Sequence, residues 1–255
     1  MTFPGQDYQA PANLLQGRVI LVTGASDGIG CVAARHYAAL GATVVLLGRD
    51  LQKLEMVYDL IEKAGHPQPA IIPMNFSSAT QADFDQLAVS IEQELGRLDG
   101  ILHCAGLLGD ITPLEMYDPD TWDELMKVNL RAPFVLTQAL LPLLKRSPDA
   151  SVIFVSSSVG RKARAFWGAY AVSKHGVEAL SALFADEMAN ISKIRFNCIN
   201  PGGTRTNMRA RAYPAENPAT VKTPEEIMPL FAWLMGPESQ GVTGQSLDAQ
   251  PPRLA

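Results

Sequence analysis

Cysteine is scarce in this 255-residue chain, which has only Cys31, Cys104 and Cys198, an odd and widely scattered set. That pattern supports neither a disulfide framework nor a metal-ligand cluster. The three read as small buried hydrophobes of a reducing compartment, and no metal site is expected. An excess of positive charge is also missing. Lys and Arg total 21 against 26 Asp and Glu, a formal net charge of -5. Such a balance offers no overall attraction to nucleic acid or to an anionic membrane. No apolar run approaches the ~20 residues of a membrane-spanning helix. The opening residues, Met1 to Pro11, have neither the basic start nor the apolar core of a secretory signal. With 47% hydrophobic and 18% charged residues, the expectation is a cytoplasmic globular protein able to bury a substantial core.

What is present is an alternation of strand and helix. Residues 1–16, rich in Pro, Gln and Asn, predict an irregular arm. Short apolar runs predict strands near 19–22, 44–47, 70–72, 100–102, 151–155 and 195–199, with a short final one at 245–248. Helices are predicted between them, near 29–40, 51–64, 81–95 and 121–144, then up to about 190, and at 224–234. Asp50 is a good N-cap, and Gly41 and Gly65 are helix stops. Pro133 and Pro142 predict a kink or break in the fourth helical region. Residues 203–223, full of turn formers and prolines, predict an irregular flap. Parallel strands need crossover helices that cover both sheet faces. The fold class is therefore α/β: one doubly wound domain over 17–255, mostly parallel, with about seven strands.

In such a sheet, ligands lie beyond the carboxyl ends of the strands. Gly24 to Gly30, Arg49, Asn75, His103 to Gly106, Ser157 and Pro201 to Thr206 each follow a predicted strand, so they should gather along one edge. In Thr23-Gly24-Ala25-Ser26-Asp27-Gly28-Ile29-Gly30 the glycines allow a tight turn and close approach to a pyrophosphate. The helix behind adds N–H groups and a favourable dipole. Ordinary helix–strand packing also uses such glycines. Here the turn follows the first strand and opens the first helix, as dinucleotide binding requires. At the tip of the second strand, an acid reads a ribose hydroxyl and a cation accommodates a 2′-phosphate. Arg49 stands there, and its guanidinium suits phosphate. Asp50 competes as an NAD-type acid, but it lies one place late and has a capping job. NADP(H) is preferred, with NAD(H) open as the alternative.

Tyr170 and Lys174 stand four positions apart and share one helix face, with a hydroxyl at Ser157 thirteen residues upstream. A phenol beside a cation can release its proton below the reference value of ~10 and so serve as acid or base for a carbonyl or alcohol. The pair alone is also consistent with a solvated Lys packed over an aromatic ring.

The glycine turn and the Tyr170/Lys174 pair together make the chain resemble the short-chain dehydrogenase/reductase family, over about residues 15–248 and with the spacing of its roughly 250-residue branch. The Ser156 to Arg161, Trp167 to Tyr170 and Asn200 to Thr206 wording is similar to the YciK group of bacterial oxidoreductases. The resemblance implies a Rossmann fold and a catalytic set of Asn129, Ser157, Tyr170 and Lys174. It implies that Tyr170 protonates or deprotonates the substrate oxygen, and that Lys174 lowers the Tyr170 pKa and bonds the nicotinamide ribose. Ser157 holds the substrate oxygen, and Asn129 supports a water leading from Lys174 to solvent. Cofactor contacts are implied at Gly24, Ser26, Asp27, Gly28, Ile29, Gly30, Arg49, Asn75, Phe76, Ala105, Gly106, Tyr170, Lys174, Pro201, Gly202, Thr204 and Thr206. A homodimer or homotetramer through the two long central helices is implied as well.

Three positions depart from the family wording. His103-Cys104-Ala105-Gly106 replaces Asn-Asn-Ala-Gly, and His103 is expected to be structural. Asn75 replaces an Asp near the adenine, its amide oxygen still able to accept a hydrogen bond. Thr204 replaces an aliphatic residue where the family uses the backbone. Arg161, Lys162, Arg164, Arg205, Arg209 and Arg211 concentrate cations near the expected mouth. They read as solvated surface or partner contacts, or, more sharply, as recognition of a carbonyl or alcohol substrate bearing a carboxylate or phosphate. Trp167 is a candidate for lining the pocket. An NADP-binding sensor or assembly subunit without turnover, and epimerase or dehydratase chemistry, are the competing functions.

Overall fold

The computed structural model describes residues 3–5 and 7–251. β1 (Val19–Thr23), β2 (Thr43–Gly48), β3 (Ala70–Pro73), β4 (Gly100–His103), β5 (Ser151–Val155), β6 (Arg195–Asn200) and β7 (Ser246–Asp248) form one parallel sheet. Its strand order is β3-β2-β1-β4-β5-β6-β7. Winding reverses between β1 and β4, which opens a crevice at their carboxyl ends.

Strand alternation sends neighbouring side chains to opposite faces. Ile20, Val22, Val44, Leu46 and Leu102 pack against α1 (Gly28–Ala39), α2 (Leu51–Lys63) and α8 (Met228–Met235). Val19, Leu21, Val45, Ile101 and Phe154 pack against α3 (Gln81–Leu95), α5 (Ala132–Arg146) and α6 (Gly168–Met188). All five residues of β1 are buried, as a strand covered on both faces requires. Asp50 caps α2 by accepting from the Lys53 N–H. Gly41 and Gly65, with φ of 96° and 74°, follow α1 and α2.

The fourth helical region is interrupted ahead of its first proline. α4 (Pro119–Met126) passes into a π-turn at Lys127–Arg131 and then into α5. Pro142 lies inside α5 without ending it. Pro142 and Gln138 are both exposed, so water can serve the carbonyl that the missing N–H abandons. The described part of the arm has no helix or strand, yet it is anchored: Leu15 is fully buried and its N–H donates to the Leu40 carbonyl at 2.9 Å. The flap is more ordered than its prolines suggest. Thr206 caps a short helix, α7 (Asn207–Ala212), by accepting from the Arg209 N–H.

At the opposite end of the sheet, Asp99 has a side chain only 2% exposed. It accepts from both Arg97 nitrogens at 2.8 Å, from the Val19 N–H at 2.9 Å and from the Ser147 hydroxyl at 2.6 Å. Among the described residues, no helix is long and apolar enough to cross a membrane.

Candidate active site

A cleft of about 460 Å³ runs along the carboxyl ends of the strands. It begins at the turn after β1. The buried Thr23 hydroxyl accepts from the N–H groups of Cys104 and Ala105, both at 3.0 Å, and so pins the loop after β4 against β1. Gly24, at φ 68°, makes that contact feasible, because a Cβ there would lie 2.8 Å from Ala105 Cα. Gly30 serves packing: a Cβ there would strike the Gly24 carbonyl, and the residue lies behind the cleft wall. Ser26, Asp27, Gly28 and Ile29 line the cleft itself. Asp27 caps α1 through a 2.7 Å bond from Gly28 N–H, and it also accepts from the Asn207 amide of α7 at 2.9 Å.

Arg49 reaches the cleft from the end of β2, and Lys53, one turn into α2, joins it. Sequence reasoning missed Lys53, although its place three residues after the cap was a signal. Asn75 and Phe76 line the neighbouring wall. The Asn75 amide oxygen already accepts from the Ser77 N–H at 3.1 Å, leaving its second lone pair.

Ala105, Gly106, Ser157, Tyr170 and Lys174 converge on the other half. Of the three adjacent serines, Ser158 turns away into a 3₁₀ turn and Ser156 is 1% exposed with no partner for its hydroxyl. Ser157 lies beside the Tyr170 phenol. Lys174 donates to the Val155 carbonyl at 2.7 Å and stands 5.6 Å from the Tyr170 ring centre. The expected lowering of the phenol pKa is not met. Burial pushes Tyr170 up to about 12, and the neighbouring Ser157 hydroxyl offsets only part of that. Burial likewise lowers the Lys174 ammonium. Both shifts follow from removing a charged form from water.

Asn129 is not part of the lining. It sits in the π-turn, 1% exposed, where its side chain accepts from Leu107 N–H at 2.7 Å and donates to Leu107 O at 2.9 Å and Ser173 Oγ at 3.2 Å. Those bonds fix the loop after β4. With both amide hydrogens engaged, a side-chain donor toward a water is not available. π-turns are frequent at functional sites because they put backbone groups out of helical register.

Pro201, Gly202, Thr204 and Thr206 close the far side. The Thr204 hydroxyl donates to Pro201 O at 3.1 Å, and Gln250 donates to Pro201 O at 2.7 Å and Gly203 O at 3.0 Å. Nothing in the sequence marked Gln250 as the clamp on this loop. His103 is a core residue: its Nε2 lies 2.8 Å from Thr137 Oγ1 and its ring stacks on Phe154 at 4.7 Å. Burial drives its pKa down to about 3, so it is neutral. Burial raises the Cys104 thiol to about 12. Trp167 lines the cleft, 5.7 Å from Tyr170 and 6.0 Å from Tyr213 between ring centres.

The parallel sheet, the glycine turn and the Ser157–Tyr170–Lys174 arrangement are those of a nucleotide-dependent dehydrogenase fold, and the family model for short chain dehydrogenases matches residues 18–217. The chain belongs to the short-chain dehydrogenase family. It is 52% identical over 246 residues to the uncharacterized oxidoreductase YciK of Escherichia coli strain K12, spanning 96% of this chain and 97% of that protein. A solved short chain dehydrogenase structure from Pseudomonas syringae is 56% identical with a TM-score of 0.94, covering 96% of this chain and 99% of that one. Another, from Escherichia coli CFT073 and complexed with NADPH, is 52% identical with a TM-score of 0.92, covering 94% and 100%.

Proposed function

We propose that the chain transfers a hydride between NADP(H) and a carbonyl or secondary alcohol, with Tyr170 as the acid and base. The observation that carries this reading is the convergence of Ser157, Tyr170 and Lys174 on the cleft that also holds the glycine turn and Arg49. The bound dinucleotide supplies or accepts the hydride, while the protein contributes position and the proton. Gly24, Ser26 to Ile29, Asn75, Phe76, Ala105, Gly106, Pro201, Gly202, Thr204 and Thr206 hold it, with Gly30 keeping the turn tight from behind. Arg49 and Lys53 fit a 2′-phosphate, and the NADPH complex of the Escherichia coli CFT073 relative supports the same choice.

Ser157 holds the substrate oxygen beside the phenol. At neutral pH, Tyr170 is protonated and stands ready to donate to a carbonyl oxygen during reduction. As that proton leaves, Lys174, 5.6 Å from the ring, offsets the developing phenolate charge, and in the reverse direction the phenolate takes the hydroxyl proton. Asn129 is a positioning residue that holds Leu107 and the adjacent cofactor wall. Residues 17–251 form one catalytic domain, with 203–223 as its substrate flap. The half-exposed Phe134 and Leu183, which flank an apolar groove between α5 and α6, support a homo-oligomer. Three free cysteines support a cytoplasmic setting.

Screening aldehydes and ketones while following NADPH consumption tests the reading, and turnover of at least one class is expected. Tight NADPH binding with no turnover across a broad panel would instead favour a sensor or assembly subunit.

A further inference from the structure

We propose that Arg211 is the anion anchor of the substrate site, so that the physiological substrate is a carbonyl compound with an apolar body and a remote carboxylate or phosphate. This rests on the oxidoreductase reading above. Six cations cluster near the mouth in sequence, but the fold engages three of them with other partners and leaves two outside the lining. Arg161 holds both Asp248 oxygens, at 2.8 and 2.9 Å, and Ser246 at 2.9 Å. Arg205 donates to the carbonyls of Pro218 and Val221 at 2.8 and 3.2 Å. Arg209 lines the cleft, yet its guanidinium is paired with both Glu216 oxygens at 2.6 and 2.7 Å and lies 3.7 Å from the Tyr213 ring centre. Lys162 and Arg164 are exposed outside the lining.

Arg211 alone of the six lines the cleft and, among the described residues, makes no ion pair. Its place on α7 says which end of the cleft it serves. Met208, Arg211 and Ala212 recur at the i, i+3 and i+4 positions of one helix face. Met208 and Ala212 pack against the cluster that contains Tyr170, Leu108 and Trp167. Arg211 therefore belongs to the Tyr170 half, away from Arg49 and Lys53. The acidic residues among the cleft lining are Asp27 and Asp50, both at the nucleotide end and both capping helices. The Tyr170 half thus offers apolar surface and one un-neutralised guanidinium, whose planar fork matches an oxyanion. In a chain of net charge -5, such a local charge is what draws an anion in.

The test compares a keto acid, a keto phosphate of similar length and the methyl ester of the acid, with NADPH as reductant. One of the anions should exceed the ester in kcat/KM by about 10- to 100-fold, the range of a charge-assisted hydrogen-bonding pair. Arg211→Gln should erase that preference by slowing the anion, with far less effect on the ester and on NADPH affinity, whereas Lys162→Gln should change none of these. A preference that survives Arg211→Gln would overturn the assignment. So would an equal loss of anion and ester turnover together with NADPH affinity, which would place Arg211 on the dinucleotide. If NADPH binds and no carbonyl is turned over, the oxidoreductase reading fails by itself. Isothermal titration of the NADPH-loaded protein with the keto acid then decides the anchor: binding that Arg211→Gln abolishes upholds it, and no binding overturns it.

Discussion

Replacing Tyr170 by Phe removes one oxygen and leaves the ring, its packing on Trp167 and its distance from Lys174 in place. The structure sets the size of the effect. A phenol raised to about 12 from a reference of ~10 disfavours phenolate by about 2.7 kcal/mol, and at pH 7 only about one site in 10⁵ is ionised. Wild type therefore keeps the proposed proton donor protonated across neutral pH. Loss of a positioned general acid costs about 10²- to 10⁴-fold, or roughly 3–5.5 kcal/mol of transition-state stabilisation. Little folding stability should go with it, because the hydroxyl opens onto the cleft and water can replace it beside Ser157. The assay is single-turnover oxidation of NADPH with an active carbonyl substrate, alongside fluorescence titration of NADPH. Turnover within about threefold of wild type would refute the assignment, since general acids typically contribute about 100-fold or more. The pH profile checks the same physics. Reduction should keep its protonated acid through about pH 9, because the phenol lies well above that. A basic limb near pH 7 that disappears in Tyr170→Phe would show that burial does not control this group.

Arg49→Ala and Lys53→Ala should each weaken NADPH binding by about 10- to 100-fold and leave NADH nearly unchanged, as loss of a charge-assisted phosphate contact predicts; isothermal titration that shows equal losses for both cofactors would move these cations off the 2′-phosphate. For Asp99, burial alone would raise the carboxyl, but Arg97, Ser147 and the Val19 N–H together hold it below its usual value. A depressed folded-state pKa adds stability that is complete above the ordinary carboxylate range of ~4 and is lost as pH falls through the lowered value. Asp99→Asn should therefore cost about 1–3 kcal/mol at pH 7 and clearly less in acid, measured as urea midpoints. An identical deficit at both pH values would contradict this.

The architecture was legible because local and global signals agree. Val19 to Val22 is rich in β-branched residues and continuously apolar, so it reads as a strand buried on both faces, and the glycine turn after it leaves few alternatives. The π-turn was not legible. Pro133 announces a break, but the geometry adopted just before it depends on Asn129 finding Leu107 across the loop, a contact 22 residues away. α7 was hidden for a related reason. Its six residues lie among prolines, and a helix that short is held by Thr206, Asp27 and the packing of Met208 rather than by its own propensity.

The same distinction divides the site. Most of the residues proposed for cofactor binding lie just beyond strand ends, where the sheet fixes position and a motif is enough to locate them; Lys53, inside α2, is an exception. Charge at the mouth does not work this way, because a side chain's sign says nothing about what neutralises it. Arg161 looked available until β7 placed Asp248 against it, and Arg209 until the chain turned Glu216 back onto it. Asp248 lies 87 residues along the chain from Arg161, and Glu216 lies beyond the end of α7, so no helix spacing rule connects either pair. The expected lowering of the Tyr170 pKa is overturned by surroundings of the same kind. Proximity to Lys174 was correctly read from the i, i+4 spacing, yet proximity lowers a phenol pKa only when it outweighs desolvation. Lys174 is itself buried and turned onto Val155 O, so the environment that brings the two together also suppresses both charges. A motif can therefore locate the proposed proton donor, whereas the protonation state it works in depends on burial that only the folded chain defines.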